Sequence, residues 1–448
     1  RLYKLSDTVM FLGDQGRDAI VVSRIFTDAD PVFIGPVMSV GNLYIGPLYY
    51  YFMMPFLWLS YPSPMGPVYA VAIIGTLMIP MMYFLGSRLI GKRAAFFATF
   101  LLALSSSTVS LARFSWNPNL MPFFGLVWVY CLYHAALGKR WYWVAVALVL
   151  AILIQLHYIS FLAVGVSGLV WVWRLVVEAR HGKWKILIGP TLIGLGIVLA
   201  FQLPLFLFDT KHDWLNARMF IKLLQGDDAF ASNSNTVERA MQIIEKSKLR
   251  ISQLLIGVTF AYRSSTAVYA AYAMLGAAVV FWIRESNQTA RRVVQLLLLI
   301  VCVSLLGLSL YKNEVYLHYL GFLLPTVFLL MGYVLEKLLR IHKLQIVTVG
   351  LLLSIYAWQN LASVSFVGGG PRLPMLAATA DAIHARVEPG EQYSILLISQ
   401  SKDMYGLNYR YFLTTNHEKH PLEPEQYQFA KKLFVLWEDK EVAEPLSL

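Results

Sequence analysis

The residues able to do chemistry in this chain are few, and they sit in short polar breaks between long apolar runs. The first break, FLGDQGRD at residues 11–18, sets Asp14 and Asp18 around Arg17. Later breaks read SLARFSWNPN, with Arg113, Asn117 and Asn119, and QLHYISF, with His157 and Tyr158. Two more read LFDTKHDWLN, with Asp209, Lys211 and His212, and YKNEVYLHY, with Lys312, His318 and Tyr319. A positioned carboxylate can take a proton from a hydroxyl. Guanidinium and ammonium groups can stabilise an anion as its charge develops. Whether these residues can act together depends on the elements that carry them.

Those elements belong to a membrane. The chain has 448 residues, 58% hydrophobic and 14% charged, with a mean hydropathy of +0.58. A soluble chain carries about 25% charged residues, so a polytopic membrane protein is expected. The net charge of +11 lies in short clusters between apolar segments, which is a topology signal and excludes a nucleic-acid surface. Cys131 and Cys302 fall inside apolar runs and suggest packing, with neither a disulfide framework nor a zinc site.

A spanning helix needs about 20 apolar residues. Runs near 67–88, 94–110, 120–137, 141–156, 160–176, 186–207, 265–283, 293–310, 316–336 and 345–361 approach that requirement. Alternate connections carry Arg88/Lys92/Arg93, Lys139/Arg140, Arg174/Arg180/Lys183/Lys185, Arg284/Arg291/Arg292 and Lys337/Arg340/Lys343. The positive-inside rule puts these five in the cytoplasm. Every polar break named above then faces outward, which suggests a hydrated cavity open on that side.

Three regions follow: an outward first loop over 1–66, a transmembrane helical domain over 67–361, and an extracytoplasmic α/β appendage over 362–448. The opening RLYKL reads as the outer end of a further membrane helix before residue 1. DAIVVSRIF has an apolar helical face suited to the interface. LYIGPLYYYFMMPFLWLSYP suits a second interfacial or partly inserted segment. In the appendage GGGP at 368–371 is a linker, LAATADAIHARV a helix, and SILLIS and KLFVLW are buried strands expected to pair in one sheet.

Each polar residue also has a plainer reading. Asp14 or Asp18 suits a helix N-cap, and Arg113 can snorkel to lipid phosphates. His157 fits an interfacial histidine, Tyr49, Tyr50 and Tyr51 an aromatic belt, and Lys211 and His212 a solvated loop.

The order and sidedness of these motifs resemble one family, the polytopic GT-C glycosyltransferases that use lipid-phosphate sugars. They are most similar to the branch of dolichyl-phosphate-mannose protein mannosyltransferases and lipid A aminoarabinose transferases. The matching pieces are RLYKL, GDQGRD, GPLYYYFMMPF, ARFSWNPN, the His157–Tyr158 pair and HYLGFLLP, in order over roughly residues 1–340. The resemblance gives Asp14 the role of catalytic base. The family often has an Asp-Glu pair there; this chain has Asp14-Gln15, so any second carboxylate role passes to Asp18 or lapses. A basic residue often precedes the proline-leucine pair, where this chain has Ile45-Gly46, which leaves the acceptor class open.

The resemblance implies an α-helical membrane enzyme moving a hexosyl or pentosyl group from a polyprenyl-phosphate sugar to a lipid, polysaccharide or protein acceptor. A single base-assisted displacement inverts the anomeric centre. The site faces the periplasm or extracellular side of the cell (inner) membrane. Asp14 and Asp18 are the expected catalytic carboxylates. Arg17, Arg113, Asn117, His157, Tyr158, Lys211, His212, Lys312, His318 and Tyr319 are expected to bind donor phosphate or substrate. No metal-ligand spacing appears, and members with and without a divalent metal both exist. The rival is a transporter or flippase for a lipid-linked glycan. Transporters usually set ionisable residues at mid-membrane within repeats, whereas here they lie outside the spans and no repeat is visible.

Overall fold

The structure is a computed structural model. It describes all residues except 39–42, 226–240, 242–244, 248–249, 251–264, 312–314, 342–344, 365–370, 400–402 and 439–448. The first loop supplies α1 (Gly13–Thr27) and α2 (Leu48–Ser60). The helical domain follows with α3 (Met65–Ile90), α4 (Lys92–Leu104), α5 (Met121–Ala136), α6 (Tyr142–Leu156) and α7 (Phe161–Arg180). It continues with α8 (Ile188–Lys211), α9 (Leu215–Gln225), α10 (Ser265–Ile283), α11 (Gln288–Leu310), α12 (Leu324–Ile341) and α13 (Gln345–Ser363). At the C-terminal end lie α14 (Leu373–His384), β1 (Tyr393–Ile398), α15 (Leu407–Thr415) and β2 (Lys432–Trp437).

Among the described residues six helical stretches are long and apolar enough to cross a membrane, and the chain is a multi-pass membrane protein. α3, with 26 residues, rises about 39 Å, more than a hydrocarbon core needs. The expected span over 94–110 is not one continuous helix. α4 stops at Ser105, whose extended backbone (φ −57°, ψ 118°) and hydroxyl start a short second helix, Ser106–Leu111. Stretches differ in what surrounds them. The apolar centre of Leu317–Ile341 is 83% buried by its neighbours, whereas that of Trp184–Lys211 is only 6% buried. An all-apolar helix left so bare needs lipid around it.

Connections at each end of the helical domain are tied to one another. At one end Arg174 sits against Gly138, and Lys337 pairs with Glu285 at 2.5 Å. At the other, Asn117 donates to the Leu156 carbonyl at 2.6 Å, and the Tyr158 and Tyr311 hydroxyls meet at 2.9 Å.

SILLIS and KLFVLW do pair: β1 and β2 run parallel, with Ile395 opposite Phe434. The unit is not a loose appendage, however. Phe11 of the first loop packs between Tyr411 and Phe412, at ring separations of 5.7 and 5.9 Å. Asn408 Nδ2 donates to the Phe11 carbonyl at 3.2 Å, and the Tyr411 hydroxyl to the Pro62 carbonyl at 2.8 Å. The expected GGGP linker falls largely outside the described residues.

Candidate active site

The GDQGRD stretch forms the first turns of α1. Gln15 reaches back to accept from the Leu12 N–H at 2.6 Å, which satisfies one of the donors a helix start leaves unpaired. Neither Asp14 nor Asp18 is the N-cap, so both carboxylates are released for other work. Asp14 lies in the first turn, where the helix dipole favours a negative charge.

Arg17 joins the two aspartates. Its Nη1 donates to Asp14 Oδ1 at 2.9 Å, while Nε and Nη2 donate to Asp18 Oδ1 at 3.0 and 2.7 Å. The Asp18 side chain is 0% exposed and the Asp14 side chain 51%. One carboxylate is therefore structural in position and the other is offered to solvent. Burial pushes the Asp18 carboxyl up to about 6, against the pull of Arg17 and its hydrogen bonds. The Tyr50 hydroxyl also donates to Asp18 Oδ1, at 3.1 Å.

A second cluster forms from residues far apart in sequence. His157 breaks the chain between α6 and α7 in an extended conformation (φ −166°, ψ 136°), and its Nδ1 accepts from the Ile159 N–H at 3.2 Å. The imidazole proton accordingly sits on Nε2. Burial, with His318 adding to it, depresses His157 to about 3, so the ring is neutral at ordinary pH. Its ring lies 4.6 Å from Tyr158, 4.5 Å from Tyr319 and 5.9 Å from His318. Trp116 covers His318 at 4.3 Å.

The two clusters are linked through α2. Tyr50 bonds Asp18, and its neighbour Tyr49 bonds the Ser115 hydroxyl at 2.7 Å, next to Trp116. These tyrosines are buried, at 0% and 3% exposure, so the aromatic-belt reading fails for both. Sequence reasoning missed their role because hydroxyl partners distant in the chain leave no local signal.

Other expected residues are placed elsewhere. Arg113 donates to the Arg1 and Tyr3 carbonyls at 2.9 and 3.1 Å and to the Thr8 hydroxyl, so it holds the N-terminal segment. Asn117 is committed to the end of α6 through Leu156. Arg17 spends its fork on carboxylates. Lys211 and His212 are exposed at the end of α8, with His212 Nδ1 on the Phe208 carbonyl at 2.8 Å. Lys312 lies outside the described residues.

A cavity of about 440 Å³ opens among α6, α7, α8, α9 and the first loop. Tyr158 and Asp209 line it, while Asp14, Arg113 and His157 are not among its lining residues. Asp209 accepts from the Asn216 and Ala217 N–H groups at 2.7 and 2.9 Å. Asn216 in turn grips Tyr44 on both backbone groups, N–H at 2.8 Å and C=O at 3.2 Å. Among the described residues, no group of three or more His, Cys, Asp or Glu is placed to hold a metal ion.

The chain is a multi-pass membrane protein whose fold is similar to those of solved membrane-protein structures. The chain is similar to ArnT from Cupriavidus metallidurans bound to undecaprenyl phosphate, with a TM-score of 0.65 and 15% identity over 96% of this chain and 86% of that one. The apo state of ArnT gives 0.62 at 14% identity, over 93% and 82%. The Archaeoglobus fulgidus oligosaccharyltransferase complexed with Zn and sulfate gives 0.51 at 12% identity, over 94% and 59%. At such identities the likeness is one of fold. No family model matches the chain, and no curated protein matches it.

Proposed function

We propose that this protein is a membrane glycosyltransferase that moves a sugar from a polyprenyl-phosphate donor to a hydroxyl-bearing acceptor on the outer face of the cytoplasmic membrane. The observation that carries the reading is the Arg17-bridged pair, with Asp18 buried and Asp14 half exposed. Asp14 accepts the acceptor's proton as the acceptor oxygen attacks the anomeric carbon. The bond from that carbon to the phosphate oxygen breaks, the anomeric centre inverts, and polyprenyl phosphate leaves with the electron pair. A general base in this position contributes about 10²- to 10⁴-fold in rate.

Arg17 and Asp18 hold Asp14 in place. The leaving phosphate needs positive charge, and Lys211, exposed beyond Asp209 at the end of α8, is the described cation assigned to it. The neutral His157 ring presents Nε2–H as a hydrogen-bond donor for a sugar hydroxyl. The likeness in fold to ArnT, solved with undecaprenyl phosphate, supports the donor class. The test is incubation of the purified protein with a panel of polyprenyl-phosphate sugars and envelope acceptors, scored by release of polyprenyl phosphate. Release with at least one donor, dependent on acceptor, is expected; no release from any donor counts against the reading.

A further inference from the structure

Asp14 stands between two glycines, Gly13 and Gly16, and the space beside both is filled by the C-terminal unit. A Cβ on Gly16 would lie 2.3 Å from the Leu407 carbonyl oxygen and 2.5 Å from the Asn408 nitrogen, both backbone atoms at the start of α15. A Cβ on Gly13 would lie 2.2 Å from Asp403 Oδ2. Real Cβ atoms do not approach that closely, so each glycine is there because the neighbouring unit already occupies its side-chain volume. The turn that carries the exposed carboxylate is gripped from both sides by one segment, 403–408.

The grip is itself fixed. Asp403 Oδ1 accepts from the Tyr405 N–H at 3.1 Å, and Oδ2 accepts from the Leu407 N–H at 2.9 Å. Asp403 thus caps the opening turn of α15 while Oδ2 rests on Gly13. Asn408 completes the joint by donating to the Phe11 carbonyl at 3.2 Å. Burial pushes the Asp403 carboxyl above the usual range, the three capping N–H groups oppose this, and Asp14 adds to the rise. The two carboxylates are near enough to feel each other.

We infer that Asp403 is a positioning residue for the transfer reaction: by capping α15 against Gly13 and Gly16, the C-terminal unit sets where the Asp14 carboxylate stands. The inference rests on the reading of Asp14 as the base. It makes the C-terminal unit part of the reacting centre's frame, without contact to substrate.

The test is a graded series measured at saturating donor and acceptor, alongside donor affinity. Asp403→Asn keeps one oxygen for the cap, and Asp403→Ala keeps none. The expected order of kcat is wild type, then Asn, then Ala, with the Ala variant at least tenfold down and the donor Kd within twofold throughout. In an Asp14→Asn background, Asp403→Ala should cost the residual rate nothing further, because residues that act as a unit are not additive. Gly16→Ala, which pushes the Leu407 carbonyl away, should mimic the Asp403→Ala split. Unchanged kcat across the series overturns the inference, as does a loss confined to donor affinity or a full further loss in the Asp14→Asn background. If Asp14→Asn alone leaves turnover intact, the proposed function fails first, and the two failures are distinguishable.

Discussion

Asp18 lies wholly buried beneath Arg17, and its Oδ1 accepts two guanidinium hydrogen bonds, at 3.0 and 2.7 Å. The same guanidinium reaches Asp14 at 2.9 Å. An arginine so engaged is a bracket between carboxylates, and a buried charge is tolerated only when paired in this way.

Asp18→Asn tests that bracket through pH. Burial raises the Asp18 carboxyl to about 6 in the folded protein. A raised folded value contributes stability that is fully present below the unfolded value, near 3.9, and lost as pH climbs through about 6. Thermal unfolding in detergent should show this loss between about pH 4 and 6 in the wild type and not in Asp18→Asn. Turnover in the variant should fall, but less than in Asp14→Asn. A wild-type Tm that rises relative to the variant over that window would contradict the assignment.

Tyr50→Phe removes one donor from Asp18 Oδ1. A hydrogen bond to a charged group is worth about 1.5–3 kcal/mol, so the anion is weakened and the acid side of the pH–rate profile should move to higher pH. The loss in turnover at pH 8 should stay within about a hundredfold, the order that one such bond can supply. An unmoved acid limb would place Asp18 outside the reaction.

Asn216→Ala removes both hydrogen bonds to Tyr44 that hold the first loop against the cavity. Losing buried partners of this kind costs about 1–3 kcal/mol. The expected readout is a lower Tm, with less loss at saturating donor than at low donor concentration. A Tm equal to wild type would show that the tie carries no load.

The membrane architecture was legible because lipid imposes long apolar runs and loop charges alternate with topology. The paired strands and the helix over LAATADAIH were legible from local periodicity. Long-range commitments were not. Arg113 at a helix end looks the same in sequence whether it meets a phosphate or the carbonyls of Arg1 and Tyr3. Tyr49 and Tyr50 read as a belt because their partners, Ser115 and Asp18, lie 66 and 32 residues away. Nothing local in the sequence marks Asp403, since its contact with Gly13 joins opposite ends of the chain. Ser105 shows the same limit within a span, where a single extended residue divides an otherwise uniform apolar run.

The central claim is that Asp14 is the base, and one variant addresses it most directly. Asp14→Asn keeps the shape of the side chain and one oxygen for Arg17, and removes the capacity to accept a proton. With a confirmed donor and acceptor, release of polyprenyl phosphate by Asp14→Asn should fall by about 10²- to 10⁴-fold, with expression, Tm and donor binding close to wild type. Near-full turnover in that variant would contradict the account and leave Asp14 as a carboxylate that merely favours the start of α1.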